Sequence, residues 1–264
     1  MMNELFTIGP VTIYGYGLMI AIGAVAALLV TEYRLKKAGL QYDFVYTLTV
    51  FALLGGMIGA KLLYLIVELP QVMKDPSMIL NFGSGFVVYG GIIGGVIAGY
   101  IFAKIKKLSF WRYMDYVMPS IILAQGFGRI GCFLAGCCYG KETDSIFGIV
   151  FHDSPHAPSG VKLVPTQLMF SAWDFLCFFL LVWIQNKKIF KKEGNVAALY
   201  FLFYGIGRFI LEFFRADDRG TVGFLSTSQF ISIFIVLLGM TILALGKFRK
   251  EIVTNEEGET NEEV

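Results

Sequence analysis

Residues 46–67 read YTLTVFALLGGMIGAKLLYLIV, and Lys61 is the one charged side chain in this run. A transmembrane helix needs about 20 mostly apolar residues, because the hydrocarbon core of a bilayer is about 30 Å thick. The run is therefore long enough and apolar enough to cross a membrane. Six further runs have the same character. The seven candidate spans are Ile13–Tyr33, Tyr46–Val67, Phe86–Ala103, Val117–Ala135, Leu168–Ile184, Val196–Phe214 and Ser228–Leu245.

The composition of the 264-residue chain also indicates a membrane protein. Apolar residues make up 56% and charged residues 16% of the chain, whereas charged residues make up about 25% of a typical soluble domain. So few polar residues could not cover the surface of a soluble globule. The high apolar content also excludes a disordered chain. A net charge of +2 is too small to indicate nucleic-acid binding, and four cysteines do not make a disulfide-rich secreted fold. We predict an all-α fold, a polytopic bundle of seven transmembrane helices.

The distribution of Lys and Arg predicts the orientation of these helices. With the N-terminus outside, fourteen cations fall in the cytoplasmic loops and tail, and four fall in the opposite loops. This bias follows the positive-inside rule and places the C-terminus in the cytoplasm. We expect no cleavable signal, since no basic segment precedes the first apolar run. The predicted organisation is one transmembrane domain, residues 1–250, and an acidic disordered tail, residues 251–264.

Two arginines lie within predicted spans, where inserting a charge costs about 2.5–3.5 kcal/mol. Arg129 occurs in GFGRIGCF, residues 126–133, and Arg208 occurs in YGIGRFILE, residues 204–212. Glu212 follows Arg208 by four residues, so the two side chains share one face of a helix. One interpretation is a structural Arg208–Glu212 ion pair, with Arg129 reaching outward to solvent. The other is a pair of guanidinium groups that face a cavity near the outer leaflet and bind a lipid phosphate bidentately.

Further polar side chains are predicted at the same depth. Tyr16, Tyr89 and Tyr204 could line this cavity, or they could belong to the aromatic belts at the membrane interfaces. Asp174 lies in the fifth span and needs a partner, for which Lys61 is a candidate.

Glycines at four-residue spacing, such as Gly90 and Gly94, let helix backbones approach closely in lipid. The run YGGIIGG at residues 89–95 is denser than packing requires. Gly90 and Gly91 could therefore also leave room for a lipid head group or acyl chain. Gln167 could hydrogen-bond between helices.

Three cysteines, Cys132, Cys137 and Cys138, cluster at the end of the fourth span. With His152 and His156 they could form a zinc site, but their spacing matches no standard ligand pattern. A disulfide or redox role is a second alternative. Small packing residues are the default interpretation, and we expect no metal and no cofactor.

Motifs along most of the chain resemble the prolipoprotein diacylglyceryl transferase family. GRIGCFLAGCCYG, residues 128–140, falls on the family signature Gly-Arg-x-Gly-Asn-Phe-x-Asn-x-Glu-x-x-Gly. PTQL, residues 165–168, resembles its Pro-Ser/Thr-Gln-Leu motif, and YGIGRFILEFFR, residues 204–215, resembles its sixth-span motif. The segment that starts at Ile8 and VYGGIIGG, residues 88–95, resemble two further family segments.

The resemblance implies a reaction, in which a diacylglyceryl group moves from phosphatidylglycerol to the lipobox cysteine thiol of a prolipoprotein. The expected location is the bacterial plasma (inner) membrane. The expected partners are this lipid, the prolipoprotein and the bilayer, with no nucleic acid. The implied catalytic residues are Arg129, Arg208, Tyr89 and Glu212. The implied substrate-binding residues are Tyr16, Tyr204, Gly90, Gly91, Gly140 and Gln167.

The chain departs from the family pattern at five positions. Tyr89 replaces a His that is a proposed base, Cys132 and Ala135 replace Asn, and Cys137 and Phe170 replace Glu. A phenol is a poor base at neutral pH. The acceptor thiol could ionise beside the arginines, with Tyr89 only orienting it. Alternatively, the chain is a divergent relative that binds phospholipid or transfers it to another acceptor, or a membrane transporter or redox protein.

Overall fold

The computed structural model describes residues 4–8, 11–79, 85–152, 154, 156–217 and 220–249. Helices dominate this part of the chain. They are α1 (Gly15–Lys37), α2 (Val45–Val67), α3 (Leu69–Val72), α4 (Val88–Ile105), α5 (Phe110–Ala135), α6 (Thr166–Asn186), α7 (Asn195–Glu212) and α8 (Thr227–Leu245). All of these except α3 are long and apolar enough to cross a membrane, which makes seven candidate spans in the described residues. The prediction of a polytopic helical membrane protein is confirmed.

The helix bounds agree with the predicted spans to within a few residues, except at the start of α5. This helix begins at Phe110 rather than at Val117, because Arg112 and Asp115 lower the hydropathy of its first turns without ending the helix. The orientation of the termini stays a prediction. The predicted tail, residues 251–264, lies outside the described residues.

Short strands pair before α1 and in two of the connections between helices, whereas the prediction from the sequence was an all-α fold. Each pair is antiparallel. The pairs are β1 (Glu4–Ile8) with β2 (Val11–Tyr14), β3 (Ile149–Val150) with β4 (Lys162–Leu163), and β5 (Thr221–Val222) with β6 (Leu225–Ser226). Single 3-10 turns occur at Pro76–Ile79 and Gly246–Phe248.

The chain forms two compact units. The smaller unit is Glu32–Tyr113, and the larger unit combines Met1–Thr31 with Met114–Val264. The smaller unit contains α2, α3 and α4. The larger unit contains α6, α7, α8 and most of α1 and α5.

Glycines bring α2 and α4 into backbone contact within the smaller unit. A Cβ atom on Gly90 would overlap the carbonyl oxygen of Gly59, and a Cβ on Gly94 would overlap that of Gly55. A Cβ on Gly91 would lie 3.5 Å from the nearest atom, which is an ordinary contact distance. Close helix packing therefore accounts for Gly90 and Gly94, as expected for small residues in membrane helices. A role of Gly90 and Gly91 in substrate binding stays a prediction.

The core of the larger unit lies between α5, α6 and α7. Its buried side chains are Met118, Ile122, Cys177, Leu181, Val196, Ala197 and Tyr200. On α5, the buried carboxylate of Asp115 accepts hydrogen bonds from the backbone N–H groups of Gly194 (2.7 Å) and Ala197 (2.8 Å). These N–H groups lie at the start of α7, where helices lack internal acceptors and where negative charge is favourable. The contact fixes α7 against α5, and these two helices carry Arg208 and Arg129.

Candidate active site

Three arginines of the larger unit surround one aromatic ring. The guanidinium carbons of Arg129, Arg208 and Arg215 lie 4.7, 5.1 and 5.8 Å from the centre of the Phe170 ring. Phe170 is on the first turns of α6 and is only 3% exposed. A cation within about 6 Å of a ring centre is attracted by the ring quadrupole. An apolar side chain thus holds three positive charges together at the meeting point of α5, α6 and the end of α7.

Carboxylates hold two of these arginines in place. Arg208 Nη2 lies 3.4 Å from Glu212 Oε2 and donates a hydrogen bond of 2.9 Å to Ser228 Oγ. Arg215 donates two hydrogen bonds, of 2.9 and 2.7 Å, to the carboxylate of Asp217. The Arg208–Glu212 ion pair, one of the two interpretations of the sequence, is present, and it exists together with the cluster of arginines.

Donor atoms remain available in this cluster. Arg208 Nη1 and Arg215 Nη1 are buried, and neither has a hydrogen-bond acceptor in the described part of the chain. A buried unpaired donor costs about 1–3 kcal/mol, and more when the group is charged. An anion bound beside these side chains would provide the missing acceptors.

Asp174 is the further carboxylate of this region. It is 3% exposed and interacts electrostatically with Arg129 and Arg208. These arginines are the partners that its position in the fifth span requires. The ammonium of Lys61, the partner considered from the sequence, lies over the rings of Tyr64 (5.2 Å) and Phe86 (5.6 Å) in the smaller unit.

Backbone hydrogen bonds join the signature segment, residues 128–140, and the adjoining Lys141 to the residues that follow α7. The Lys141 N–H donates to the Phe214 carbonyl at 2.9 Å, and the Ala216 N–H donates to the Tyr139 carbonyl at 3.2 Å. Gly140 lies between these bonds, and its N–H donates to the Val164 carbonyl at 3.1 Å. This junction carries Arg215 to the ring of Phe170. Arg215 lies within a family motif in the sequence, but only the fold shows that it reaches this ring.

The start of α6 holds the other side of the signature segment. Thr166 Oγ1 donates to the Cys138 carbonyl at 2.8 Å, and Gln167 Nε2 donates to the Cys137 carbonyl at 2.7 Å. Both side chains are fully buried. Gln167 therefore bonds to the backbone of the loop, and a direct contact with substrate stays a prediction.

The predicted tyrosines occupy three different environments. Tyr16, in the first turn of α1, is 42% exposed, packs against Gly131 and interacts electrostatically with Arg129. Tyr204 stacks on Tyr200 with ring centres 5.9 Å apart, one turn before Arg208. Tyr89 is half-exposed in the first turn of α4, within the smaller unit.

The three cysteines of the signature segment converge. The Sγ atoms of Cys132, Cys137 and Cys138 all lie within 4.8 Å of one another, and each side chain is half-buried. Hydrogen bonds with the neighbouring thiols and burial raise the pKa of Cys137 far above its usual value. Within the described residues, this sulfur cluster does not include His152 or His156.

The profile of the prolipoprotein diacylglyceryl transferase family matches residues 3–245. The chain belongs to this family. A member from Clostridium tetani, named phosphatidylglycerol–prolipoprotein diacylglyceryl transferase, is 47% identical over 247 residues, which cover 94% of this chain and 98% of the relative. A Clostridium perfringens relative with the same name and the number 2 is 45% identical and covers 93% and 95% of the two chains. A Clostridioides difficile relative of the same name is 34% identical and covers 95% and 98%. The resemblance inferred from the motifs is confirmed.

We expect the buried ring of Phe170 to stabilise the folded protein. Phe170→Ala should lower the free energy of unfolding by about 3–5 kcal/mol, because it empties the space between three guanidinium groups. Phe170→Leu keeps most of the apolar volume and should cost about 1.5 kcal/mol or less. Unfolding in mixed detergent micelles, followed by circular dichroism, measures both values. Equal stability of Phe170→Ala and the unmodified protein would show that the ring does not hold the cluster together.

Proposed function

We propose that this chain transfers a diacylglyceryl group from phosphatidylglycerol to the cysteine thiol of a prolipoprotein. The product is a thioether, and glycerol phosphate is the leaving group. The relatives of 45% and 47% identity are named for this activity and match this chain over nearly all of its length. The observation that carries the proposal is the arrangement of Arg129, Arg208 and Arg215 around Phe170.

The arginines would bind the lipid phosphate. Guanidinium presents a planar fork of donors that matches two phosphate oxygens. Arg208 Nη1 and Arg215 Nη1 are buried donors for which the described residues offer no acceptor, so phosphate oxygens would complete their hydrogen bonding. Glu212 lies 3.4 Å from Arg208 and 3.9 Å from Arg215, and acts as a positioning residue for both.

The chemical step places negative charge where these arginines are. The acceptor sulfur attacks the carbon of the diacylglyceryl group that is bonded to the phosphate oxygen. The bond between this carbon and that oxygen breaks. The phosphate takes the electron pair, so negative charge increases on its oxygens. Donors that are already oriented towards the developing charge lower the barrier most effectively. Tyr16 and Tyr204 would support the head group beside Arg129 and Arg208.

The proposed location is the plasma membrane, which this multi-pass protein would enter with its N-terminus outside and its C-terminus in the cytoplasm. The excess of Lys and Arg in the loops assigned to the cytoplasm supports this orientation. In the same orientation the arginine cluster would lie near the extracytoplasmic leaflet, where phosphatidylglycerol and an exported prolipoprotein would both have access to it.

Rescue of cells depleted of their own transferase tests the proposal. Expression of this chain should restore lipidation of prolipoproteins, detected as a mass increase of one diacylglyceryl group on the lipobox cysteine. In vesicles, the purified chain should modify a lipobox peptide when phosphatidylglycerol is present and not when phosphatidylcholine replaces it. Failure in both assays would contradict the proposal and would favour the alternative that this chain uses another acceptor.

Tyr89 provides a test of the base in this reaction. Tyr89→Phe should lower transfer less than Arg129→Ala does, because we assign the phenol an orienting role and the arginine a charge-stabilising role. The comparison uses initial rates in phosphatidylglycerol vesicles with equal amounts of folded protein. Complete loss of transfer in Tyr89→Phe would show instead that the hydroxyl takes part in the chemistry.

A further inference from the structure

We propose that Cys132, Cys137 and Cys138 bind a zinc ion through three sulfur ligands and leave a fourth coordination position for the acceptor thiol. The identity of the fourth ligand rests on the proposed function. The metal site itself does not depend on it.

The geometry of the three thiols fits a tetrahedral ion. Their Sγ atoms lie within 4.8 Å of one another. A Zn–S bond is about 2.3 Å long, so sulfur ligands of one tetrahedral zinc stand about 3.8 Å apart. Each separation would therefore shorten by about 1 Å at most on binding. Rotation of the cysteine side chains supplies a movement of this size.

The backbone places the sulfurs independently of the metal. Cys132 is on the last turns of α5, and the chain then reverses at Gly136 and Cys138, which have φ angles of 69° and 61°. Thr166 and Gln167 hold the carbonyls of Cys138 and Cys137 from the buried start of α6. Support of this kind around the ligands orients them and strengthens metal binding.

The chemistry of the donors selects the metal. Soft thiolate ligands favour zinc, copper(I) and iron–sulfur clusters over magnesium or calcium. Three protein ligands with an open position are typical of catalytic zinc, whereas structural zinc has four. Within the described residues, the cluster contains sulfur donors and no carboxylate or imidazole. Zn²⁺ with three thiolates carries one negative charge, and Arg129 interacts electrostatically with Cys132 and can offset it.

Such a site would supply the nucleophile that the transfer needs. Binding of Zn²⁺ displaces the three thiol protons to solvent. The acceptor thiol then takes the fourth position and loses its proton to solvent, because a coordinating thiol is deprotonated outright. Its sulfur attacks the glycerol carbon, the C–O bond breaks, and glycerol phosphate leaves with the electron pair. The sulfur becomes a thioether, a much weaker ligand, and the fourth position opens again.

Metal content of the full-length chain provides the first test. Protein purified in detergent and reduced with a phosphine is incubated with Zn²⁺, desalted and analysed by mass spectrometry for metals. We expect about one zinc per chain, and far less in Cys132→Ser and Cys137→Ser. Cys177→Ala changes a buried cysteine of α6 outside the cluster and should leave the zinc content unchanged.

Thermal unfolding separates loss of the ligand from loss of the fold. Zn²⁺ should raise the unfolding temperature of the unmodified chain and of Cys177→Ala, because it binds the folded state. It should leave that of Cys137→Ser unchanged. Equal zinc contents in all variants would overturn the proposal. So would a chain that takes up no zinc after reduction and instead forms a disulfide between two of the three cysteines in air.

Cobalt provides the test of the fourth position. The Co²⁺-loaded chain should show a sulfur-to-metal charge-transfer band that increases by about a third when a lipobox peptide adds a fourth thiolate. A peptide with serine in place of cysteine should leave the band unchanged. Phosphatidylglycerol is absent, so the result does not depend on transfer. No increase with the cysteine peptide would reject the fourth-ligand role, and full transfer by metal-free protein would reject it even though the proposed function held.

Discussion

Arg129→Ala and Arg208→Ala are each expected to lower the rate of diacylglyceryl transfer by about 100- to 1,000-fold. Each change removes an oriented donor from the place where negative charge develops on the phosphate, and losses of this size are typical for such donors. Arg208→Lys keeps the charge and loses the planar fork, so its rate should lie between those of Arg208→Ala and the unmodified chain. Initial rates with a lipobox peptide in phosphatidylglycerol vesicles measure the effect.

A neighbouring cation provides the control for charge alone. Lys141 directly follows Gly140, and its side chain is exposed. Because solvent and salt screen an exposed charge, Lys141→Ala should keep transfer within about twofold. Near-normal transfer by folded Arg129→Ala would reject the assignment of this guanidinium to the phosphate.

Gly140→Ala is expected to weaken the contacts of the signature segment with the start of α6 and with the residues that follow α7. A Cβ atom at this position would lie 2.5 Å from the Val164 carbonyl oxygen and 2.8 Å from Thr166 Cγ2. Both neighbours are held in place, so the loop must move, at a cost of about 1–3 kcal/mol in unfolding free energy. The movement would displace Arg215 from Phe170, and a misplacement of about 1 Å can lower a rate about 100-fold.

Gly99→Ala is the matched control for the added methyl group. A Cβ on Gly99, in the middle of α4, would meet no atom within 4 Å. Alanine also favours the helix over glycine by about 1 kcal/mol, so stability and transfer should stay unchanged or improve slightly. If Gly140→Ala behaved like Gly99→Ala in unfolding and transfer assays, the junction at Gly140 would not matter for the site.

The sequence predicts the helices well because lipid imposes a length and a hydropathy on every span. It also indicates Arg129, Arg208 and Glu212 as candidate site residues, because a charge within an apolar span is costly and commonly has a functional role. Arg215 carries no such signal. It lies just beyond α7, where a basic residue is ordinary, and its place beside Phe170 depends on long-range backbone pairing with the signature segment.

Two other features depend on three-dimensional contacts that spacing does not reveal. Phe170 is one apolar residue among many on an apolar helix, and only the folded chain shows which side chains surround it. The sequence places three cysteines near the end of the fourth span, but their spacing matches no standard metal-ligand pattern. Only the turn at Gly136 and Cys138 shows that their sulfur atoms converge.

The first turns of α6 have a consequence for how the two substrates would meet. Thr166 holds the cysteine loop from the same helix face on which Phe170, four residues later, contacts the arginines. One helical turn of α6 therefore contacts both the cysteine cluster and the arginine cluster, and it fixes the distance between them. In the proposed reaction, a phospholipid held by the arginines and an acceptor thiol held by the cysteines would bind at the two ends of this helical segment, and its rigidity would fix their separation.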